Sequence, residues 1–245
     1  MNLLLLANST NHGLPMLAHA RREIASVLAG RRLLFVPYAL AAHDAYTARV
    51  SEALAPAGVV VEGLRLVENP TAAVRTAEAV FVGGGNSFRL LRDLRRTGLL
   101  AAIGDRVQGG MPYIGSSAGT NMACPTLRTT NDMPIVEPGG FASFGFVPFQ
   151  INPHYLDPDP ASTHMGETRE TRLRQFLEEN DAVILALREG SWLRVQDGRA
   201  VLGGSTGARI FRRGEEPYDV APGADLSFLL TMRPRYDATE MCRHA

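Results

Sequence analysis

Short apolar runs alternate with longer amphipathic stretches through the first half of the chain. That alternation predicts strands joined by crossover helices in a mostly parallel sheet. Leu3 to Ala7 is the first such strand, followed by a helical stretch near Pro15 to Leu28. Leu33 to Tyr38 predicts a second strand, residues near Asp44 to Leu54 a helix, and Val59 to Val67 a third strand. A shorter helix, about Ala72 to Glu78, leads into a strand over Ala79 to Val82. After Gly83 to Gly85, the segment Phe88 to Gln108 carries Leu90, Leu91, Leu94 and Leu99 at helical spacing with arginines between them. Pro112 to Ile114 is another short strand.

From Cys124 to Pro153 the periodicity gives way to Pro, Gly, Asn and Thr, which predicts loops around the sheet's working edge. Regularity returns with a helix from about Glu167 to Glu179 and a strand over Ala182 to Leu187. Trp192 to Val195 and Ala200 to Leu202 flank Gln196-Asp197-Gly198-Arg199, whose Asp-Gly favours a hairpin turn. There is no internal repeat and no low-complexity linker.

Composition narrows the class. A chain of 245 residues suits one sizeable α/β domain spanning 1–245, with 45% apolar residues to build its core. Its 25 basic and 25 acidic side chains balance, so nothing favours disorder, a nucleic-acid footprint or an anionic membrane surface. The apolar opening of Met1 to Ser9 lacks a basic n-region, is too short to span a bilayer and is ended by Asn8, Ser9 and Thr10. Cys124 and Cys242 show no CxxC or Cys/His spacing, which argues against a disulfide scaffold or a zinc site and for a reducing, cytoplasmic setting. Cys124 reads as a buried structural thiol, with a nucleophilic role as the alternative.

The strongest chemical signal is Tyr113-Ile114-Gly115-Ser116-Ser117-Ala118-Gly119, a buried strand running into Gly-x-Ser-x-Gly ahead of a helix. Such a turn lifts the central serine out of the sheet on a strained backbone, and its glycines allow strand and helix to approach closely. Ser117 is therefore the candidate nucleophile; the other reading is a helix cap at Ser116 or Ser117. A second cluster, Phe81-Val82-Gly83-Gly84-Gly85-Asn86, also ends a strand and opens a helix. Gly84 or Gly85 would supply one backbone N–H to an oxyanion and Ala118 the second. A phosphate cradle is the competing reading, but the Lys-Ser/Thr of a P-loop and the spacing of GxGxxG are missing.

A serine nucleophile needs a base within hydrogen-bond reach. Among the histidines, His154 ends a short apolar run in Gln150-Ile151-Asn152-Pro153-His154-Tyr155, where a side chain reaches back over the sheet edge. His12, His19, His43, His164 and His244 fall in loop starts, helix faces or the tail. The base needs an acid to fix its tautomer, and Glu189 follows the strand Ala182 to Leu187 with Gly190 beside it. An exposed turn glutamate paired with Arg188 is the alternative for Glu189.

Together these segments resemble the peptidase E family of aspartyl dipeptidases, the serine peptidase family that also contains cyanophycinase. The resemblance is carried by Gly83 to Phe88, Gly115 to Gly119, the run Ala123 to Val136 with its Arg128-Thr129-Thr130-Asn131-Asp132-Met133-Pro134, Gln150 to His154, Gly166 to Glu170 and Glu189 to Trp192. It implies a flavodoxin-like three-layer sandwich similar to class I glutamine amidotransferase domains, mostly parallel in its central sheet with a C-terminal antiparallel extension. The family's nucleophile, base and third member fall on Ser117, His154 and Glu189. One departure is Ser116, where a bulkier residue, often tryptophan, tends to stand.

The reaction so implied is hydrolysis of Asp-X dipeptides through an aspartyl-enzyme, without metal or organic cofactor. Such a substrate needs a fixed negative partner for its ammonium and a fixed positive one for its side-chain carboxylate. Asp132 is the candidate for the ammonium, although it could instead shape a turn or compete with Glu189 for His154. Arg169 is the candidate for the carboxylate, with Arg128 second and Asn86 a further substrate contact. Alternatives are a cyanophycinase-like β-aspartyl hydrolase and a non-catalytic sensor of acidic metabolites. A monomer or homodimer is expected, with the loop Leu156 to Met165 as a lid.

Overall fold

The computed structural model describes residues 1–64, 69–163 and 165–237. Leu3, Leu4, Leu5 and Leu6 are all fully buried, so the strand they form, β1 (Asn2–Leu6), is covered on both faces as an inner strand of a parallel sheet must be. The chain continues through α1 (Arg21–Leu28), β2 (Leu33–Val36), α2 (His43–Leu54), β3 (Val61–Gly63), α3 (Pro70–Thr76) and β4 (Ala79–Val82). Next come α4 (Ser87–Arg96), α5 (Leu99–Gln108), β5 (Tyr113–Ser116), α6 (Ala118–Met122) and β6 (Gln150–Tyr155). The remainder comprises α7 (Arg169–Glu179), β7 (Ile184–Arg188), β8 (Ser191–Gln196), β9 (Arg199–Gly204), β10 (Ala208–Phe211) and β11 (Tyr218–Val220).

Seven strands form the central sheet in the order β3-β2-β4-β5-β1-β8-β9. Pairings are parallel from β3 to β1, and β8 and β9 extend the sheet antiparallel. Strand side chains alternate between two cores. Leu4, Leu6, Leu33, Phe35, Ala79 and Phe81 pack with Ile24 and Leu28 of α1 and Tyr46 and Val50 of α2. Leu3, Leu5, Val80 and Val82 face the other way, into a core with Leu90, Leu94, Ile103 and Met122. Asp197 and Gly198, both at positive φ (51° and 77°), make the two-residue turn between β8 and β9 that Asp-Gly predicts.

Several boundaries differ from the sequence pattern for physical reasons. The segment Phe88 to Gln108 is two helices, because Gly98 at φ 73° turns the chain between α4 and α5. Helix α1 begins at Arg21; the residues from Pro15 form turns, with Leu17 at φ 58°. The third strand covers Val61–Gly63, and the predicted end at 65–67 lies outside the described residues, as do His164, Cys242 and His244.

The larger difference is a second sheet of four strands, order β11-β10-β7-β6, whose strand β6 begins inside the Cys124 to Pro153 stretch expected to be loops. Strand β7 belongs to this sheet, paired parallel to β6 and antiparallel to β10. Leu185, Leu187 and Ile151 join the core shared with the central sheet, while Ile184, Ala186 and Tyr155 pack against Leu173 and Leu177 of α7. Among the described residues no helix is long and apolar enough to cross a membrane.

Candidate active site

The strand-to-helix turn is built so that only residue 117 leaves the sheet. Ser117 has φ 53° and ψ −110°, a region that non-glycine residues enter only when their surroundings hold them there. Its N–H donates to Leu6 O at 3.1 Å, Thr120 Oγ1 donates to the same carbonyl at 2.7 Å, and the hydroxyl of Tyr113 donates to Gly119 O at 2.6 Å. Ser117 makes no side-chain capping bond to α6. Its hydroxyl lies instead 2.9 Å from His154 Nε2.

His154 is brought there by an irregularity in β6. Pro153 has no N–H for the ladder, and the register with β7 shifts between Asn152 and Tyr155. Asn131 Nδ2 donates to Pro153 O (2.8 Å), and Asn152 Nδ2 donates to Thr129 O (2.8 Å) and Asn131 Oδ1 (2.9 Å). His154 itself has φ 55°, which swings its ring off the strand's alternation. The Thr129 to Asn131 segment thus serves as the bracket of the histidine.

Glu189 Oε1 lies 2.7 Å from His154 Nδ1. A carboxylate can only accept, so Nδ1 donates and Nε2 is left as the acceptor facing Ser117 Oγ. The turn carrying Glu189 is pinned by Gly190 N–H to Asn8 Oδ1 (2.9 Å), Thr206 Oγ1 to Glu189 O (2.7 Å) and Ser191 Oγ to Arg188 O (2.6 Å). Arg188 does not pair with Glu189, because its guanidinium is held by Asp157 at 2.7 Å and Asp219 at 2.8 Å.

In the glycine loop, three of four consecutive N–H groups are spoken for. Gly83 donates to Val36 O (3.1 Å), Gly84 to the Tyr46 hydroxyl (2.9 Å) and Asn86 to Ala39 O (2.9 Å). Gly84, one of the two oxyanion candidates, is thereby set aside; Gly85 N–H has no acceptor among the described residues. Gly84 packs directly on Ser117, since a β-carbon there would sit 3.0 Å from Ser117 Cβ. Ala118 opens the uncapped first turn of α6, where N–H groups lack intrahelical partners.

The substrate-binding candidates divide. Arg169, the first residue of α7, lines a cavity of about 490 Å³ together with His154, Tyr155, Leu156, Arg188 and Glu189. Burial lowers its pKa, as does neighbouring Arg172, while Glu189 and Asp132 act in the opposite direction. Asp132 does not touch His154. Its Oδ2 accepts from Ser87 N (2.7 Å), Ser87 Oγ (2.6 Å) and Thr130 Oγ1 (3.1 Å), while Oδ1 has no donor among the described residues. Asn86 caps α4 through Arg89 N (3.0 Å) and donates to Met133 O (2.9 Å). The Arg128 fork is held by Asp237 at 2.8 and 3.1 Å.

Other sequence candidates resolve by burial. Cys124 is fully buried, accepts from Ile151 N at 3.1 Å, and desolvation pushes its thiol up to about 12, which keeps it protonated. Ser116 is also fully buried within β5, so its small side chain acts on packing and not on the cavity wall. Asn8, Tyr46, Asn121 and Thr206 support the site through bonds that span large sequence separations, and only structure reveals them. No group of three or more metal-ligating side chains occurs among the described residues.

Comparison with known proteins follows the same lines. The family model described as "Peptidase family S51" matches residues 3–203. The chain is 64% identical to a peptidase E of Streptomyces coelicolor over 97% of its length and 98% of the relative's. It is 48% identical to a probable alpha-aspartyl dipeptidase of Drosophila melanogaster, covering 94% of this chain and 97% of the other. A peptidase E of Salmonella typhimurium is also 48% identical, covering 91% of this chain and 99% of that one. Among solved structures, a putative peptidase E protein from Listeria monocytogenes is similar in fold, with TM-score 0.65 at 22% identity over 84% of this chain and 98% of that one. A peptidase from an acI-B1 Actinobacterium aligns with TM-score 0.69 at 16% identity over 93% of this chain and 96% of that one.

Proposed function

The chain belongs to peptidase family S51 and is a serine peptidase, and from that premise we propose that it hydrolyses Asp-X dipeptides in the cytoplasm through Ser117, His154 and Glu189. The observation that carries this reading is the continuous chain from Ser117 Oγ to His154 Nε2 (2.9 Å) and from His154 Nδ1 to Glu189 Oε1 (2.7 Å). Ser117 Oγ bonds to the carbonyl carbon after the aspartate as His154 Nε2 takes the hydroxyl proton. Collapse of the tetrahedral adduct breaks the C–N bond, and His154 returns the proton to the leaving amine. Water then attacks the aspartyl ester, its proton passing to His154 and on to Ser117 Oγ, and free aspartate leaves. Gly85 N–H and Ala118 N–H stabilise the oxyanion in both steps.

Specificity rests on opposite charges, Arg169 at the cavity and Asp132 near enough to Arg169 to act on its charge. Arg169 binds the β-carboxylate of the substrate, because its half-buried guanidinium has no carboxylate partner among the described residues. Asp132 Oδ1 faces the α-ammonium. The experiment is a panel of Asp-Leu, Glu-Leu, Asn-Leu and β-Asp-Arg. Asp-Leu is expected to be cleaved far faster than the other three; Asn-Leu cleaved equally well would sink the charge-based specificity, and preferential β-Asp-Arg cleavage would reassign the substrate.

A further inference from the structure

The buried phenol of Tyr46, on α2, reaches under the glycine loop that flanks the nucleophile. Its hydroxyl accepts the N–H of Gly84 at 2.9 Å. Its ring is 95% buried, meets Phe35 edge-on at 5.0 Å, and lies so close to Gly83 that a β-carbon there would sit 2.9 Å from the Tyr46 oxygen. One residue beyond the free donor, Asn86 N–H is anchored on Ala39 O at 2.9 Å. The peptide that carries Gly85 N–H is therefore clamped from both sides, with Gly85 at φ 136°. On the Ala39 side the fit is equally close: a β-carbon on Gly85 would come within 2.5 Å of Ala39 O.

From this geometry we infer that Tyr46 is a positioning residue for the oxyanion site: its hydroxyl fixes the Gly84 peptide so that Gly85 N–H points at the developing charge on the reacting carbonyl. The inference rests on the proposed roles of Ser117 and Gly85. A phenol so placed does what a backbone carbonyl would do at that point, and it does so from a helix that buries Tyr46, Val50 and Leu54 against the sheet. Without it, Gly84 N–H is a buried donor with no acceptor, and the loop gains a reason to rotate the peptide toward the nucleophile. Gly85 N–H would then lose its aim. An oxyanion donor is worth little in the ground state and much in the transition state, so the loss falls on the rate and not on substrate affinity.

The test is Tyr46→Phe, which keeps the ring and removes only the acceptor, beside Val50→Ala, which weakens the packing of the same helix but keeps the hydroxyl. Two reactions are followed. One is Asp-Leu hydrolysis. The other is phosphonylation of Ser117 by a small fluorophosphonate, in which the Ser117 Oγ–P bond forms, the P–F bond breaks, fluoride leaves and the serine proton passes to His154. That second reaction places charge on the phosphoryl oxygen without needing an aspartyl substrate.

In Tyr46→Phe, kcat and the phosphonylation rate are each expected to fall about 10- to 100-fold, with KM within about twofold. Affinity for an aspartyl aldehyde, which forms a tetrahedral adduct on Ser117, should fall in step with kcat. Val50→Ala should keep both rates at a comparable loss of Tm. Unchanged rates in Tyr46→Phe, or equal losses in Val50→Ala, would overturn the inference. If the wild-type chain is phosphonylated at Ser117 but leaves Asp-Leu intact, the substrate assignment fails while the phosphonylation rates still decide the role of Tyr46. No labelling of wild-type Ser117 would overturn both.

Discussion

His154 Nδ1 and Glu189 Oε1 meet at 2.7 Å although the two residues stand on different segments, one in the irregular end of β6 and the other just past β7. Parallel pairing of the two strands matches Tyr155 with Arg188, so each residue lies one position from a paired neighbour and both project from the same end of the smaller sheet. The contact is thus a product of strand register as much as of side-chain chemistry. Glu189→Gln keeps the shape but supplies an amide that can donate to Nδ1, which favours the wrong tautomer. We expect kcat for Asp-Leu to fall about 100-fold or more, with Tm nearly unchanged, in steady-state kinetics and a thermal melt.

Ser117→Ala removes the oxygen proposed to attack while leaving the elbow's backbone anchors in place. Turnover of Asp-Leu should fall about 10⁴- to 10⁶-fold, and fluorophosphonate labelling should vanish. Full activity in this variant would take Ser117 out of the reaction.

Much of this site is legible in the sequence, and the parts that are not share a cause. Ser117 announces itself because Gly-x-Ser-x-Gly directly follows an apolar run, a purely local signal. His154 is legible from its place in the loop-rich half, and Glu189 from its place after the strand Ala182 to Leu187 with Gly190 beside it. Which of Gly84 and Gly85 keeps a free N–H is not, since a tyrosine 38 positions away takes up the Gly84 N–H. Arg128 looks like a free cation until Asp237, 109 positions on, takes up its fork. Strand β6 hides behind Gln150, Asn152 and Pro153: the two polar residues are fully buried by bonds to the Thr126 to Asn131 loop, and no periodicity rule credits such partners. The second sheet stays hidden for the same reason, because its pairing order is long-range information.

Arg169 is expected to separate binding from nucleophile chemistry. Arg169→Ala should lower kcat/KM for Asp-Leu about 100-fold, the scale of a desolvated charge pair that loses one partner. Labelling of Ser117 by a small fluorophosphonate should change little, because that reagent presents no β-carboxylate. Equal losses in both assays would point to a folding defect and would remove Arg169 from substrate recognition.

Arg128 gives the opposite expectation. Its guanidinium pairs with Asp237, which is half exposed, and lies over the Phe141 ring at 5.4 Å. Exposed pairs contribute about 0–1 kcal/mol, so Arg128→Ala should lower Tm by at most about 2–4 °C and leave Asp-Leu kinetics essentially as in the parent chain. A large rise in KM with unchanged Tm would return Arg128 to the substrate.

Among the glycines described, that of the elbow at Gly119 meets the strictest steric requirement. A β-carbon on Gly119 would run into the carbonyl oxygen of Val82, and one on Gly115 would lie 2.6 Å from Gly119 O. Both obstacles are backbone atoms of the central sheet and α6, so neither can give way as a side-chain tip would. The close approach is also what turns Ser117 outward: α6 must sit this near β4 for the chain to reverse within one residue at φ 53°. Gly119→Ala should therefore push α6 away from the sheet and cost at least about 1–3 kcal/mol, read as a Tm loss of several degrees. Displacement of α6 also carries Ser117 away from His154, so the surviving folded fraction should lose fluorophosphonate reactivity. A Gly119→Ala chain with parental Tm and labelling rate would show that the elbow does not depend on that contact.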